Sequence, residues 1–418
     1  MADFYGIPFY IIFPVMIFVS FYLYVTRNFG YWKRLGIPEV TPMPFTGSFK
    51  FDFYSHHGKR EQKWYKKYGK IFGIYEGAAP VLVIADPHLL KNILIKDFHV
   101  FSEGRGLRFG DNIIDRMLVF QHGKQWKELR SIMTPTFSSG KIKMMSKLID
   151  DCGKTLTNNF IEAAESKKEI DVTKYFGAYA MDVIARCSFG IQLDSRKDLN
   201  NPFLKAVRQT IRPMSWRTLI AVLFPGLAKI LRLSLFDPRT SLFFKDVAMQ
   251  IINERKHLNE DEKPQDFLQL LLEAEKEDSN SKNGKKTLEL DDVISQCVMF
   301  FMVGYFTTAA TLSFVAHQLA IKPKIQEKLI KEIDEVLKGK EKIHVDDVTE
   351  LKYLDAVLQE TLRYYTPAAR LERRPVEDYK LGDTGIIIPK STLINVPIYA
   401  LNHDPQYFPE PDKFDPER

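Results

Sequence analysis

The most chemically suggestive part of this sequence is the uncharged segment from Cys297 to Ala316. It contains Gly304 and, one helical turn later, Thr307. Glycine inside a helix costs about 1 kcal/mol relative to alanine, so its presence suggests that another group, such as a flat cofactor, approaches the backbone closely. The Thr307 hydroxyl can bond the carbonyl of Val303 or, if the turn opens, point at a ligand. The segment is therefore a candidate wall of a ligand pocket.

Two pairs of side chains have spacings that place them on one helical face. Glu360 and Arg363, three residues apart, can form a charge-assisted ion pair. Trp126 and Arg130, four residues apart, present an indole N–H and a guanidinium as two donors. Each pair also has an ordinary interpretation, because exposed ion pairs are common and worth little, and a packing tryptophan often lies beside a surface cation.

Helices must position most of these side chains. Apolar periodicity predicts helices over Pro87–Asp97, Gln125–Met133, Lys141–Ala164, Thr173–Phe189, Ser241–Leu258, Asp266–Ala274, Asp291–Ile321, Pro323–Leu337 and Leu351–Tyr365. Short β-rich segments predict a hairpin from Ile71–Tyr75 and Val81–Ala85, and later strands at Gly385–Ile388 and Leu393–Pro397. Glu275–Lys286 is predicted to be a solvated loop. The fold class is mainly α with small β-sheets.

The N-terminal segment Phe4–Val25 contains no charge and is long enough to cross a hydrocarbon core of ~30 Å as a helix. A cleavable signal peptide is the alternative, but the segment exceeds an h-region of roughly 7–15 residues and has no basic start. Arg27, Lys33 and Arg34 follow, so the positive-inside rule places the body in the cytosol. We expect one transmembrane anchor at 4–25, a Pro-rich hinge at 26–48 and the main body of the protein at 49–418.

Charge and cysteine usage exclude some classes of protein. The net charge of +6 is spread along the chain, which gives little reason to expect nucleic acid binding. Cys152, Cys187 and Cys297 lack C-x-x-C spacing and lie in apolar, helix-like contexts. This pattern predicts reduced, buried thiols rather than a disulfide framework or a zinc site.

Two apolar segments have alternative interpretations. Asp291–Ile321 is either a second membrane span or a central buried helix, and the acids at its start favour burial in protein. Trp216–Phe236 is either core or a segment that dips into the membrane interface.

Taken together, the motifs resemble the cytochrome P450 family of haem-thiolate monooxygenases, closest to its vertebrate drug-metabolising branch. They are Glu360-Thr361-Leu362-Arg363, Trp126-Lys127-Glu128-Leu129-Arg130, the helix around Gly304 and the final Phe414-Asp415-Pro416-Glu417-Arg418. The resemblance covers essentially the whole chain. It implies a haem cofactor, contacted through its propionates by Trp126, Arg130 and Arg373, with Arg105 as a further candidate. It also implies that Arg418 closes a Glu-Arg-Arg cluster with Glu360 and Arg363.

The sequence departs from the family on the Gly304 helix. Similar monooxygenases carry Ala-Gly-x-Glu-Thr where this chain has Val303-Gly304-Tyr305-Phe306-Thr307. Phe306 cannot relay the protons that dioxygen cleavage requires. Either water reaches Thr307 by another route, or dioxygen is activated poorly, or the protein rearranges a substrate that needs no proton delivery.

In this family, the cysteine that binds the iron lies in a Gly-rich loop shortly after the motif that ends this sequence. We therefore expect the axial cysteine beyond Arg418, and a cytochrome P450 fold that is incomplete at its C-terminus. No metal ligand is assigned within the chain, because none of its three cysteines lies in a Phe-x-x-Gly-x-Arg-x-Cys-Gly context.

The resemblance implies an enzyme of the endoplasmic reticulum membrane, with its body facing the cytosol. It would oxidise lipophilic small molecules with electrons from an NADPH-dependent flavoprotein reductase. Lys124, Lys127, Lys141 and Lys143 could steer an acidic reductase surface, or simply form a solvated face. The alternatives are a haem-free, inactive truncated form and a haem isomerase that needs no dioxygen activation.

Overall fold

The computed structural model describes residues 9–49, 56–106, 110–192, 205–206, 220, 225–231, 233, 238–259, 263–264, 266–279, 288–340 and 343–418. The chain divides into two units. The sheet unit comprises Met1–Arg105, Met214–Leu233 and Ala368–Pro409. The helix unit comprises Gly106–Pro213, Ser234–Pro367 and Glu410–Arg418.

The sheet unit is built around a four-stranded sheet and a separate two-stranded sheet. The strands are β1 Ile71–Glu76, β2 Ala79–Ile84, β3 Leu371–Arg373, β4 Tyr379–Lys380, β5 Ile387–Ile388 and β6 Leu393–Val396. β1 and β2 form the expected antiparallel hairpin. β2 then pairs in parallel with β6, and β6 pairs antiparallel with β3. The sheet therefore joins residues more than 300 positions apart in the chain.

The sheet unit also contains helices, most of which are short. They are α1 Phe9–Thr26, α2 Tyr31–Arg34, α3 His57–Tyr68, α4 Pro87–Lys91, α8 Pro225–Ile230 and α15 Ile398–Asn402. Trp32 is buried against Gly73 of β1, where an added Cβ would lie 2.0 Å from the indole Cδ1. Gly58 lets α3 approach the Tyr399 ring of α15 in the same way. These two glycines are required because an aromatic ring occupies the space a side chain would need.

The helix unit contains α5 Gly123–Met133, α6 Ser139–Glu165, α7 Val172–Phe189, α9 Pro238–Lys256, α10 Phe267–Ser279, α11 Leu290–Ile321, α12 Pro323–Val336, α13 Val345–Glu350 and α14 Lys352–Tyr364. Its core lies between α7, α9, α10 and the first half of α11. There the rings of Phe189 and Phe301 stack with centroids 4.2 Å apart. Among the described helices, α11 alone is long and apolar enough to cross a membrane. Burial of its first half in this core supports the interpretation as a central helix of the protein.

The hairpin and the predicted helices are confirmed within a few residues at their ends, except that the first helix, α4, ends at Lys91 and is followed by a π-helix over Asn92–Lys96. One loop boundary was wrong, because α10 continues to Ser279 and so includes the start of the predicted loop Glu275–Lys286. The remainder of that loop, most of Trp216–Phe236 and the first residues of the predicted anchor lie outside the described residues. The sequence patterns also missed α2, α3, α8, α13, α15, β3 and β4, which are short or mostly polar.

Candidate functional site

Thr307 lies on the exposed face of α11, in an unbroken helix. Its hydroxyl donates a hydrogen bond of 2.9 Å to the carbonyl of Val303, and the Thr311 hydroxyl donates in turn to the carbonyl of Thr307 at 2.8 Å. Of the two conformations considered for Thr307, the structure therefore shows the one bonded to its own helix. A Thr hydroxyl bonded in this way still has lone pairs that can accept a hydrogen bond from a ligand or water.

Gly304 has a close neighbour on α7. A Cβ added at Gly304 would lie 2.2 Å from Cδ1 of Ile184 on α7. Gly177 of α7 likewise faces the ring of Tyr305, whose hydroxyl oxygen would be 2.6 Å from an added Cβ. The close neighbour of Gly304 among the described residues is therefore Ile184, and the approach of a flat cofactor to Gly304 stays a prediction. The two glycines let α7 and α11 cross at close range.

Phe306 does not share the environment of Thr307. Its side chain is partly buried and packs against the core of the helix unit, with an edge contact to the ring of Tyr305 at 4.9 Å between centroids. An apolar ring at this position adds to the core, whereas a carboxylate would be costly to bury unless it were paired.

Trp126 and Arg130 lie one turn apart on α5. The Trp126 side chain is half-buried and packs against the core of the helix unit, while Arg130 is exposed. This arrangement holds the indole in place and leaves the guanidinium on the surface of the same helix. The pair can therefore present two N–H donors to an anion in contact with α5.

The structure brings Glu360, Arg363 and Arg418 together within the helix unit. Arg363 donates from Nε to Glu360 at 2.6 Å and from Nη2 at 2.8 Å, which is a bidentate pair, and both residues are buried. Arg363 also donates to the carbonyl of Pro411 at 2.9 Å. Arg418 Nε lies 3.5 Å from the Glu360 carboxylate. This cluster therefore ties α14 to the segment Glu410–Arg418.

Arg105 lies in a different environment from the one expected of a propionate contact. Its guanidinium donates to both oxygens of Glu372, one of them at 2.6 Å, and to Glu76. Burial would lower the pKa of Arg105, but the hydrogen bonds that it donates to these two carboxylates outweigh burial and raise the pKa. Three N–H groups of this guanidinium serve the two carboxylates, and the assignment of Arg105 to the cofactor stays a prediction.

Arg373 on β3 has the opposite character. Its Nη1 donates to the carbonyl of Glu372 at 3.0 Å, and its Nε is buried with no acceptor among the described residues. Burial lowers the pKa of Arg373. A half-buried cation of this kind is a suitable partner for a carboxylate of a bound group. The neighbouring Arg374 has a buried Nε with no acceptor in the described part of the chain, and the Arg-Arg dipeptide was a signal that the sequence reasoning missed.

The three cysteines are free and buried, as predicted. Burial raises the pKa of all three thiols, to about 11 for Cys187, and Cys297 lies in the core of the helix unit. At neutral pH they are protonated and enclosed by protein. They do not fit the role of an axial thiolate. Arg373, in contrast, fits the role of a cation that binds a haem propionate.

Comparison with known proteins shows the family to which this chain belongs. A family model for cytochrome P450 matches residues 37–418. Cytochrome P450 3A41 of Mus musculus is 38% identical over 413 residues, which covers 96% of this chain and 80% of that protein. Cytochrome P450 3A2 of Rattus norvegicus and cytochrome P450 3A5 of Homo sapiens are 39% and 37% identical, with the same two coverages.

The match defines a haem-thiolate monooxygenase, an oxidoreductase whose cofactor is haem iron. The chain belongs to the cytochrome P450 family. Its mainly helical fold with small sheets is that of the family, as the sequence predicted.

Proposed function

We propose that this protein is a membrane-anchored haem monooxygenase that inserts oxygen into lipophilic small molecules, using electrons from an NADPH-dependent flavoprotein reductase. Membership of the cytochrome P450 family is the observation that carries the proposal. The apolar helix α1, which precedes the basic residues Arg27, Lys33 and Arg34, supports attachment to the endoplasmic reticulum membrane with the body in the cytosol.

The activity is tested with the purified protein, reductase, NADPH and a panel of lipophilic compounds under isotopically labelled dioxygen. One labelled oxygen atom in the product, dependent on both NADPH and the reductase, is expected. Product formed without dioxygen would favour the isomerase alternative instead.

In this proposal, Trp126, Arg130 and Arg373 hold the haem propionates. The haem would supply the iron chemistry. The thiolate ligand of that iron is none of Cys152, Cys187 and Cys297, because those thiols are protonated and enclosed by protein. Among these three residues, substitution of the half-buried Arg373 tests the proposal most directly. We expect Arg373→Leu to retain less haem per protein than the unchanged chain after gel filtration. The control is Lys380→Leu, which removes an exposed cation from β4 in the same unit.

Thr307 is proposed to position a proton donor, because its hydroxyl oxygen can accept from water while it donates to Val303. Phe306 supplies no acid. This feature favours one second candidate function, the rearrangement of a substrate that needs no proton delivery.

The variant Phe306→Glu distinguishes the two functions. If missing proton delivery limits the enzyme, Phe306→Glu should raise the amount of oxygenated product per NADPH consumed, while Phe306→Leu should not. No gain in this ratio would favour a water route or the rearrangement reaction. Because Phe306 packs against the core, the thermal stability of both variants is measured alongside.

Attachment to the membrane is tested separately. Removal of Met1–Val25 should release the body into the soluble fraction of a cell extract. A body that remains wholly in the membrane fraction would contradict α1 as the sole anchor. The exposed Lys124 and the nearby Lys127 are proposed to face the reductase, and charge reversal at both should slow reduction most strongly at low salt.

A further inference from the structure

A cluster of charged residues in the sheet unit contains the buried Glu61 and Glu76 and the partly buried Glu372, Arg105 and Arg370. Arg105 donates to Glu76 and Glu372, as described above. Arg370 donates to Glu76 at 2.7 Å and lies 3.4 Å from Glu372, but 3.8 Å from Glu61. The two cations are therefore committed to Glu76 and Glu372. Glu61 is the carboxyl group left over.

Glu61 projects from α3 and is 1% exposed. The Asn395 side-chain amide of β6, which is fully buried, donates from Nδ2 to Glu61 Oε1 at 2.9 Å. The other two oxygens of these side chains, Glu61 Oε2 and Asn395 Oδ1, are buried and receive no hydrogen bond from any described residue. Two buried acceptors without a donor are costly, since each forfeits its hydrogen bonds to water.

We propose that Glu61 is a neutral carboxylic acid that closes a cyclic pair with the Asn395 amide. In this pair, Oε1 accepts from Nδ2–H while the protonated Oε2 donates to Oδ1. One proton thus satisfies both orphaned oxygens at once. The pair fastens α3 to the central strand β6, so the proton acts as a latch between a surface helix and the sheet.

The environment of Glu61 favours its protonated, neutral form. Burial is the largest influence and raises the pKa of Glu61 to about 7. Arg370, the hydrogen bond from Asn395 and Arg60 act in the opposite direction, and the ionised Glu76 of β1 adds to the rise. Glu76 itself remains ionised, because its hydrogen bond from Arg105 and the charge of Arg370 outweigh its burial and lower its pKa to about 2.

The latch is sensitive to pH near neutrality. The pKa of Glu61 in the folded protein is above its ordinary value of 4.5, so the folded state holds a proton that the unfolded chain releases between these values. The stability that the pair contributes is complete below about pH 4.5, declines as the pH rises and is lost above about pH 7. Once ionised, Glu61 loses the bond from Oε2, and its nearest cation is Arg370. We therefore expect the docking of α3 to loosen above neutral pH.

The test compares Glu61→Gln with the unchanged full chain. Glutamine carries a permanent N–H where the proposed acid carries its proton, so it can make the same cyclic pair without titrating. Between pH 4 and pH 8, the unfolding equilibrium constant of the unchanged protein should rise roughly a hundredfold relative to that of Glu61→Gln. Glu377→Gln, which removes an exposed carboxyl group from the same unit, should follow the unchanged protein.

Two outcomes would overturn the proposal. Identical pH profiles for Glu61→Gln and the unchanged protein would mean that Glu61 holds no proton in the folded state. Failure of Glu61→Gln to fold, while Glu377→Gln folds, would mean that the native side chain is the carboxylate, because the amide reproduces the neutral acid in shape and hydrogen bonding.

Discussion

The two units each bury a cluster of charged residues, and the clusters differ in their balance of charge. In the helix unit, Glu360 meets Arg363 in a bidentate pair, with Arg418 nearby, so the cations are at least as many as the acids. In the sheet unit, Glu61, Glu76 and Glu372 share two arginines. One carboxyl group there has no committed cation.

The difference in charge balance matters because both clusters contain buried carboxyl groups. A buried charge is tolerated when it is paired and hydrogen-bonded, and otherwise the group takes the neutral form. The helix unit meets this condition with arginines that also bond backbone carbonyls near its C-terminal segment. The sheet unit meets it with a proton on Glu61. The first cluster therefore depends on keeping its arginine, and the second depends on pH.

The largest expected effect comes from removing the arginine of the balanced cluster. Arg363→Met should lower the free energy of unfolding by up to about 3–5 kcal/mol, since it removes the bidentate partner of a buried carboxylate. Arg418, 3.5 Å from Glu360, offsets part of this loss. Urea unfolding at neutral pH measures this change. The double variant Glu360→Leu with Arg363→Met should recover part of the loss, because replacing a buried pair by apolar groups is often close to neutral. A double variant no more stable than Arg363→Met would contradict the explanation.

A smaller effect is expected where the helix unit depends on shape rather than on charge. Gly304→Ala should destabilise the protein by about 1–3 kcal/mol, because the new Cβ overlaps Cδ1 of Ile184. Adding Ile184→Val removes that methyl group and should restore much of the stability, as a thermal unfolding series would show. If Ile184→Val gives no rescue, the glycine is needed for another reason, such as the approach of a cofactor.

The smallest effect is expected at an exposed ion pair of the helix unit. Lys143 Nζ lies 2.9 Å from Asp346, but both side chains are largely in solvent. Lys143→Ala should therefore change the free energy of unfolding by less than about 1 kcal/mol, and the change should shrink further in high salt. A loss comparable to that of Arg363→Met would show that burial does not govern the value of these pairs.

Much of the helix unit could be predicted from the sequence. Its helices are long and their apolar periodicity is strong, so α6, α7 and α11 were found to within two residues at their ends. The sheet unit was harder to predict. Helix α3 has little apolar patterning, and it is held by the approach of Gly58 to Tyr399 and by the hydrogen bond from Tyr65 to Asp404, which lie far apart in the chain.

Prediction of the candidate site from the sequence met the same difficulty with contacts between distant segments. The spacing of Glu360 and Arg363 along one helix made their pairing predictable. Nothing in the local sequence showed that Arg105 would meet Glu76 and Glu372, or that Ile184 would lie over Gly304. Such pairings are set by tertiary packing between segments up to 267 residues apart. The pair formed by Glu61 and Asn395 has the same origin.

The contrast between the two clusters rests on the proton assigned to Glu61, and infrared spectroscopy measures that proton most directly. A protonated carboxyl group absorbs in a carbonyl band distinct from that of a carboxylate, and the band shifts when the proton is exchanged for deuterium. Such a band is expected in the unchanged protein at pH 6, and it should disappear as the pH is raised to 8.5. It should be absent from Glu61→Gln at every pH. A spectrum at pH 6 with no band that Glu61→Gln removes would contradict the protonation of Glu61.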